Sequence, residues 1–248
     1  MAINLEKMKE KYRALQQKGN GERNLFWKPQ DGEQTIRIVP DPDGDPFKEY
    51  WFHYNVGNEN GFLCPKRMHG DDCPVCEFVS KLYNTKDEED RKMASNMRAK
   101  QRFFSPVVIR GEEDKGVRLW GYSKTVYERL LSLVLNPDYG DITDPEDGTD
   151  MVIDYGKKSG QLYPSTDVQP RRKSSALAKD KSQSREFMDS KIDYNSLFNS
   201  KTQEEIGNAL EVHCNGVSDT EKPDVQSYKA AGTSNEVEAS FKQLLAAG

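Results

Sequence analysis

The chain has 248 residues with a formal net charge of −5, and apolar residues make up 35% of it. This apolar fraction is low for a fully packed globule, so the composition predicts one domain with segments outside its core. No apolar run approaches the roughly 20 residues of a membrane-spanning helix. The N-terminus also lacks the apolar region of a signal peptide. We therefore expect an intracellular protein with no membrane association.

Charge is segregated along the chain. Residues 1–28, 91–129 and 157–181 carry net charges of +4, +6 and +5, whereas the stretches between them are acidic. Phosphate affinity depends on the local field and on counterion release rather than on overall charge. The three basic blocks thus favour nucleic acid as a partner. The alternative is that they are solvated faces that pair with the acidic blocks.

The first half of the chain reads as one helix followed by strands. Apolar periodicity predicts a helix over residues 4–18, which a Gly-Asn-Gly sequence ends. Strands are predicted at residues 34–39 and 49–56, and a hairpin loop after the second leads into residues 62–64. The following segments are a short helix at 77–83 and a charged loop or mobile helix at 86–100.

The second half continues with short elements. In order, they are strands at 103–110 and 117–122, a helix at 123–135, an acidic loop at 136–150, a hairpin of 150–155 with 161–163, a weakly ordered stretch at 170–185, a helix from 202 that gives way to a strand at 210–214, and a linker at 215–235. Many short strands and few long helices favour a small β-barrel or sandwich.

Three of the four cysteines lie within thirteen residues, in the pattern Cys64-x8-Cys73-Pro-Val-Cys76. The Cys-x2-Cys turn places two thiolates on one tight loop, and His53 and His69 are each near enough to complete a tetrahedron. Zinc in a closed structural site takes four such nitrogen and sulfur ligands. The alternatives are a Cys73–Cys76 redox pair or buried thiols that act as small hydrophobes. A redox pair, however, is expected after a strand of a βαβ unit.

Catalytic motifs are missing from the sequence. It contains no P-loop, no Gly-x-Gly-x-x-Gly, no Gly-x-Ser-x-Gly and no His-Glu-x-x-His. Four protein ligands would leave zinc no open position for water, which indicates a structural ion. A zinc deaminase needs a His-x-Glu sequence beside its Pro-Cys-x-x-Cys, and here Tyr54 and Asn55 follow His53. We therefore predict that the protein is not an enzyme.

Cations alternate with aromatic residues in the second and third basic blocks. Proteins that bind single strands without sequence preference need a cationic groove for phosphates and ring faces on which bases stack. For any one ring the alternative is core packing, and this is our interpretation of Phe47, Trp51, Phe52 and Phe78. The candidate contacts are Arg98, Lys100, Arg102, Phe103, Phe104, Arg118, Trp120, Tyr122, Lys124, Tyr127, Lys157, Lys158 and Tyr163.

Taken in order, these features resemble the gene 32-type single-stranded DNA-binding protein family of T-even-like tailed bacteriophages. The resemblance extends over roughly residues 1–200. Its parts are the basic N-terminal helix, the strand at 34–39, the histidine-bearing strand before the cysteine loop, Leu82-Tyr83-Asn84-Thr85, Phe103-Phe104, Val107-Val108-Ile109 and the hairpin at 157–163. The ordered set is specific, whereas each piece alone is weak.

The resemblance implies an OB-fold barrel with an inserted zinc subdomain at about residues 48–100, within a core that spans residues 21–214. It implies one structural zinc ion bound by His53, Cys64, Cys73 and Cys76, with His69 as the second choice for the histidine. It also implies that bases stack on Tyr83, Phe103, Trp120 or Tyr122, and Tyr163.

The two ends of the chain resemble the arms of that family to different degrees. Residues 1–20 resemble its cooperativity arm, a basic segment that docks on the next protomer along the strand; here its cations are Lys7, Lys9, Lys11 and Arg13. The family's C-terminus is a long acidic tail that recruits replication proteins. Residues 215–248 depart from it with five acidic and three basic groups. Recruitment would then rest on the apolar residues Phe241, Leu244 and Leu245, or be weakened.

The sequence therefore predicts a mainly β fold with short helices, built as an OB-fold barrel with a zinc subdomain and flexible N- and C-terminal arms. The expected function is cooperative, sequence-non-specific coating of single-stranded DNA during phage replication, recombination and repair, in the cytoplasm of the infected bacterial host. Expected partners are single-stranded DNA, copies of the chain itself, and proteins such as polymerase, helicase loader and recombinase. The alternatives are an RNA-binding translational regulator, a zinc-stabilised protein-interaction module and a zinc nucleotide deaminase.

Overall fold

The computed structural model describes residues 25–190, 192–198 and 200–214. The strands are β1 (Phe26–Trp27), β2 (Gly32–Ile38), β3 (Lys48–Val56), β4 (Glu59–Leu63), β5 (Lys100–Ile109), β6 (Arg118–Tyr122), β7 (Thr149–Gly156) and β8 (Ser165–Ser174). The helices are α1 (Pro65–Met68), α2 (Pro74–Asn84), α3 (Glu88–Met97), α4 (Lys124–Val134), α5 (Lys181–Asp189), α6 (Tyr194–Leu197) and α7 (Gln203–Cys214), with a 3-10 turn at Glu113–Lys115. The predicted helix at 4–18 and the tail at 215–248 lie outside the described residues.

All eight strands belong to one mixed sheet, and β5 is the strand that joins its parts. The path runs β1-β6-β5-β2-β7-β8, and the β3–β4 hairpin is attached through β3 to β5. Along one edge of β5, β3 pairs with residues 100–104 and β2 with residues 107–109, while β6 occupies the other edge. The long strand β5 thus connects the main sheet to the hairpin that carries the predicted zinc ligand.

One apolar core lies inside the curve of the sheet. Six strands and helix α4 contribute buried side chains to it, so the sheet must bend around these residues. The innermost members include Ile36, Val107, Trp120, Leu130 and Met151. The prediction of a mainly β fold with short helices is confirmed, and this curvature fits the OB-fold barrel that was expected.

A second core forms beneath the cysteine loop. It unites α2 and α3 with the β3–β4 hairpin and with α7, which contributes Ile206 and Ala209. The predicted strand at 210–214 is wrong, because α7 continues as a helix to Cys214. Its buried residues are spaced three apart, which brings both onto the same face of a helix. The sequence did not decide between a loop and a helix for residues 86–100, and the structure shows the helix α3 there. Asp87 caps this helix, because its side chain accepts hydrogen bonds from two backbone N–H groups.

The region after β7 is more ordered than its polar sequence predicts. The second strand of the hairpin is β8, at residues 165–174 rather than 161–163, and α5 follows it. The wholly buried guanidinium of Arg37 lies 3.3 Å from Asp150 and donates to the carbonyl oxygen of Ser175. Arg110 also pairs with Asp150, at 2.8 Å, and donates to the carbonyl oxygen of Leu177. These contacts hold the segment after β8 against the barrel.

The other face of β3 and β5 is covered by the segment around α6. Phe198 is buried there, with its ring centroid 4.6 Å from that of Tyr50 and 4.8 Å from that of Phe104. The rings of Phe52 and Phe104 are almost completely buried in the same cluster. From Phe103 onward, β5 is therefore enclosed on both faces. None of the helices in the described ranges has the length and apolar character that a membrane crossing requires.

Candidate metal centre and nucleic-acid interface

Four predicted ligands meet at one point in the subdomain. The ligand atoms of His53, Cys64, Cys73 and Cys76 all lie within 4.8 Å of one another. His53 Nε2 is 3.5 Å from Cys73 Sγ and 3.4 Å from Cys76 Sγ, and the sulfurs of Cys64 and Cys76 are 3.5 Å apart. Bond lengths of about 2.3 Å for Zn–S and 2.0–2.1 Å for Zn–N in a tetrahedron require ligand separations of about 3.5–3.8 Å. The group could hold a metal ion, and its spacing fits zinc.

Local structure explains why these side chains converge. In the β3–β4 hairpin His53 is paired with Phe62, which brings the imidazole beside the chain that leaves β4 at Cys64. The N–H of Cys64 donates to the carbonyl oxygen of Trp51 at 2.8 Å and so continues the hairpin by one contact. Cys73 is the N-cap of α2, and Cys76 lies in the first turn of that helix. The Cys-x2-Cys sequence therefore forms a helix start, with both sulfurs near the hairpin.

A hydrogen bond at Nδ1, the ring nitrogen that does not face the thiols, fixes the orientation of the His53 imidazole. Its Nδ1 lies 2.8 Å from the backbone carbonyl oxygen of Met97. A carbonyl can only accept, so Nδ1 carries a proton, and Nε2 is the nitrogen that faces the thiols. Metal-binding histidines are commonly oriented by such a second contact. The imidazole is fully buried, so no water competes for either nitrogen.

The three thiols interact so closely that they cannot ionise independently. Hydrogen bonds from Cys64 and then Cys76 lower the pKa of the Cys73 thiol, whereas the same kind of contacts with Cys64 and Cys73 raise the pKa of Cys76. Ionisation of the Cys73 thiol is thus favoured, and the resulting thiolate opposes ionisation of Cys76. A divalent cation removes this opposition, since it stabilises several thiolates at once.

His69, the second choice for the histidine ligand, lies apart from this group. It is exposed at the C-terminal end of α1, and it is not among the clustered ligands. The remaining cysteine, Cys214, is exposed at the end of α7. Neither the redox-pair nor the small-hydrophobe interpretation requires a histidine nitrogen among the thiols, whereas a zinc ion bound by three cysteines needs a fourth ligand, which His53 can supply.

The predicted DNA contacts separate into exposed and buried groups. The exposed ones are Tyr83, Arg98, Lys100, Lys124, Lys157, Lys158 and Tyr163, and Arg102 is half-buried. The most open ring is that of Tyr163, at 69% exposure, in the connection between β7 and β8. Its side chain is thus available to a ligand.

Five other predicted contacts lie in the interior and are not available for stacking or phosphate binding. They are Phe103, Phe104, Arg118, Trp120 and Tyr122. Both faces of their strands are covered, because the barrel core lies on one side and the α6 segment on the other. The Arg118 guanidinium is already paired with Glu112. The half-buried Tyr127 is also covered on one face, by the ring of Phe103 at a centroid distance of 3.8 Å.

Arg98, Lys100 and Arg102 form a concentration of positive charge at the start of β5, which we call the β5 basic cluster. The ammonium of Lys100 lies 6.0 Å from the centroid of the Tyr54 ring. Burial, followed by the charges of Arg102 and Arg98, lowers the pKa of Lys100. The three cations therefore repel one another, and a bound polyanion would relieve that repulsion.

One feature that the sequence analysis assigned to the core is partly accessible. Trp51 is only half-buried, and the guanidinium carbon of the exposed Arg67 lies 5.2 Å from the centroid of its ring. The signal in the sequence was the alternation along β3: Tyr50, Phe52 and Tyr54 share one face, so Trp51 shares the opposite face with His53. This places the indole beside the metal centre rather than in the barrel.

Comparison with known proteins agrees with this arrangement. A family model described as gp32 DNA binding protein like matches residues 30–213. None of the curated proteins compared matches the chain. The matched span contains the four clustered ligands, the β5 basic cluster, and both Trp51 and Arg67.

Proposed function

The chain belongs to the gp32 DNA-binding-protein-like family, and on this premise we propose that it coats single-stranded DNA cooperatively and without sequence specificity. The observation that carries the proposal is the family match over residues 30–213, which includes nearly all of the described fold. The family is one of DNA-binding proteins and supports single-stranded DNA as the ligand. It also agrees with the lack of catalytic motifs in the sequence.

The exposed residues supply the two kinds of contact that such binding needs. The β5 basic cluster offers cations for phosphates, and Lys157 and Lys158 offer two more at the β7–β8 connection. Tyr83 and Tyr163 present rings at 43% and 69% exposure. Bases of any sequence can stack on such rings, because every base has a π-face. A contact set of cations and rings is suited to binding without sequence readout.

Within this proposal the metal is one structural zinc ion. His53, Cys64, Cys73 and Cys76 would fill its four positions, and an ion with four protein ligands supplies cross-linking rather than catalysis. It would tie the β3–β4 hairpin to α2 and so hold the subdomain in shape. The proposed partners and roles are those of a coating protein: the next protomer along the strand, and polymerase, helicase loader and recombinase during phage replication, recombination and repair in the host cytoplasm.

Salt-dependent titration tests the central proposal. Zinc-loaded protein is titrated with poly(dT), with duplex DNA and with RNA of equal length, and tryptophan emission and the anisotropy of labelled strands are followed. We expect tight binding to poly(dT) that weakens steeply with salt, and little binding to duplex. Preference for RNA would favour the translational-regulator alternative. No binding to any strand at low salt would favour the protein-interaction alternative.

Cooperativity is tested separately, because its proposed residues, Lys7, Lys9, Lys11 and Arg13, lie outside the described part of the chain. Removal of residues 1–18 is expected to weaken binding to long poly(dT) much more than binding to an oligonucleotide that fits one protomer. Equal losses on the long and short strands would contradict the assignment of this segment to protomer contacts.

A further inference from the structure

The metal-binding subdomain contains a tryptophan that the predicted DNA contacts did not include. Trp51 is half-buried, while the other two tryptophans, Trp27 and Trp120, are only 6% and 1% exposed. Those two pack edge-on against each other with centroids 6.0 Å apart, within the barrel core. Trp51 is thus the accessible indole of the chain's three.

The position of Trp51 is fixed by contacts on three sides. Its Nε1–H donates to Glu49 at 2.5 Å, its backbone N–H donates to the sulfur of Met68 at 3.3 Å, and its carbonyl oxygen accepts from Cys64. The ring also packs against the apolar core of the subdomain. A ring held in this way loses little conformational freedom when something stacks on it, which favours binding.

The Arg67 guanidinium lies over the indole, in a position that a flat group could occupy. Arg67 is exposed on α1, a helix of only four residues that begins directly after Cys64. No salt bridge to Arg67 occurs among the described residues. Its contact with the ring is a cation–π contact at the surface, where such contacts are weak. An anion nearby would compete readily for the guanidinium.

We propose that Trp51 and Arg67 form a subsite for one nucleotide of a single strand, in which the base stacks on the indole and the guanidinium turns to the adjoining phosphate. This inference rests on the proposed function and adds a place and a chemistry to it. Arg67 suits the task, since its planar fork binds both ring faces and phosphate oxygens. Glu49 accepts a hydrogen bond from the indole Nε1–H, so its carboxylate would repel phosphates from that edge of the ring.

The place of Trp51 in the sheet separates the subsite from the cations of β5. In the β3–β5 ladder Trp51 is paired with Gln101, whereas Lys100 and Arg102 are paired with Phe52 and Tyr50 and therefore project from the other face. The subsite thus lies on the His53 face of β3 and is distinct from the phosphate contacts proposed for Lys100 and Arg102. Because Cys64 lies between β4 and α1, the same metal centre that holds the hairpin also holds Arg67 in reach of the ring.

The test uses the full-length, zinc-loaded chain and separates binding from its optical signal. Binding is followed by the anisotropy of a labelled dT oligonucleotide, and tryptophan emission is recorded in parallel. Wild-type emission should be quenched on binding. In Trp51→Phe the quenching should be largely lost while binding persists, because phenylalanine still offers a stacking face and the two remaining indoles are buried. Quenching that persists in Trp51→Phe would overturn the subsite.

Two further variants measure the energetic contributions. Trp51→Ala should bind dT about 5- to 150-fold more weakly, as expected for loss of one stacked base. Arg67→Ala should lower the magnitude of the log–log salt slope by about 0.7, the value for one phosphate contact on a single strand. Arg91→Ala, which removes an exposed arginine from α3 of the same subdomain, is the control and should change neither quantity.

These outcomes separate the subsite from the proposed function. If wild-type protein shows no anisotropy change with dT, the proposed function fails and the subsite with it. If wild-type binds but Arg67→Ala and Arg91→Ala have equal salt slopes, only the subsite is wrong. Stoichiometric zinc and an unchanged unfolding midpoint in Trp51→Phe show that the variant is folded.

Discussion

The backbone carbonyl of Met97 accepts a hydrogen bond of 2.8 Å from Nδ1 of His53, and this contact ties the end of α3 to the imidazole of the candidate metal site. Met97 and His53 are 44 residues apart in sequence, and both are almost fully buried. The candidate metal site thus joins four pieces of the chain: β3, the end of β4, the start of α2 and the end of α3. Loss of the ion should loosen all four together.

Replacement of His53 by alanine should therefore abolish stoichiometric zinc binding and lower the thermal midpoint of unfolding, because metal binding and subdomain folding are coupled. His69→Ala is the matched control, since this exposed histidine lies apart from the cluster. Zinc per chain is measured after dialysis, followed by thermal unfolding with and without a chelator. A His69→Ala protein without zinc, beside a His53→Ala protein that retains it, would reverse the ligand assignment.

Gly57 should be hard to replace because α7 lies directly against it. A Cβ at this position would stand 2.3 Å from the carbonyl oxygen of Ala209, and φ is +59°. Gly70→Ala is the control, since its φ is +83° but nothing lies within 4 Å. Both variants bear the cost of left-handed backbone, about 1–2 kcal/mol. Gly57→Ala should lose about 1–3 kcal/mol more in urea unfolding, the usual cost of overpacking; equal losses would show that α7 is not docked there.

The candidate metal ligands and most strands could be predicted from the sequence, whereas the exposed face of each strand could not. From Phe103 onward β5 shows no alternation of buried and exposed side chains, and even Ser105 is fully buried, because one face meets the barrel core and the other meets the α6 and α5 segments. Phe103 and Trp120 therefore looked like stacking rings but are core residues. The strand β8 could not be predicted either, because only Val168 of its residues is buried. Its exposed basic residues give the segment the polar composition of a loop.

Tyr163 and Phe103 should respond to alanine in opposite ways. Tyr163 is 69% exposed, so Tyr163→Ala should leave the free energy of unfolding within about 0.5 kcal/mol of wild type. It should nevertheless weaken binding to dT oligonucleotides by about 1–3 kcal/mol if the ring stacks on a base. Phe103 is 1% exposed, and Phe103→Ala should cost about 3–5 kcal/mol of stability. Urea unfolding and anisotropy titration are compared; a stable Phe103→Ala protein with weakened binding would contradict this division.

The paired lysines before Tyr163 should act through charge alone. Lys157 and Lys158 are both exposed, and the nearest carboxylate to Lys158, that of Asp154, is 4.0 Å away. Their joint replacement by alanine should reduce the magnitude of the log–log salt slope by about 1.4, because each single-strand phosphate that a lysine neutralises accounts for about 0.7. The control is Lys86→Ala with Lys92→Ala, two exposed lysines in or next to the acidic α3. Equal slopes in the two double variants would place the β7–β8 connection outside the interface.

Tyr54 should make the protein sensitive to alkaline conditions. Burial raises the pKa of its phenol from 10.0 to about 12, although the neighbouring Arg102 opposes the rise. The unfolded chain releases this proton at lower pH than the folded one, so the stabilisation is fully present below pH 10 and is lost as pH rises toward 12. The loss amounts to about 2–3 kcal/mol.

Urea unfolding of wild type and Tyr54→Phe from pH 9 to 12 measures this loss. The free energy of unfolding of the variant should decline less steeply with pH. Some decline should remain, because burial also raises the pKa of Tyr122. Identical declines would mean that the Tyr54 hydroxyl remains in contact with water.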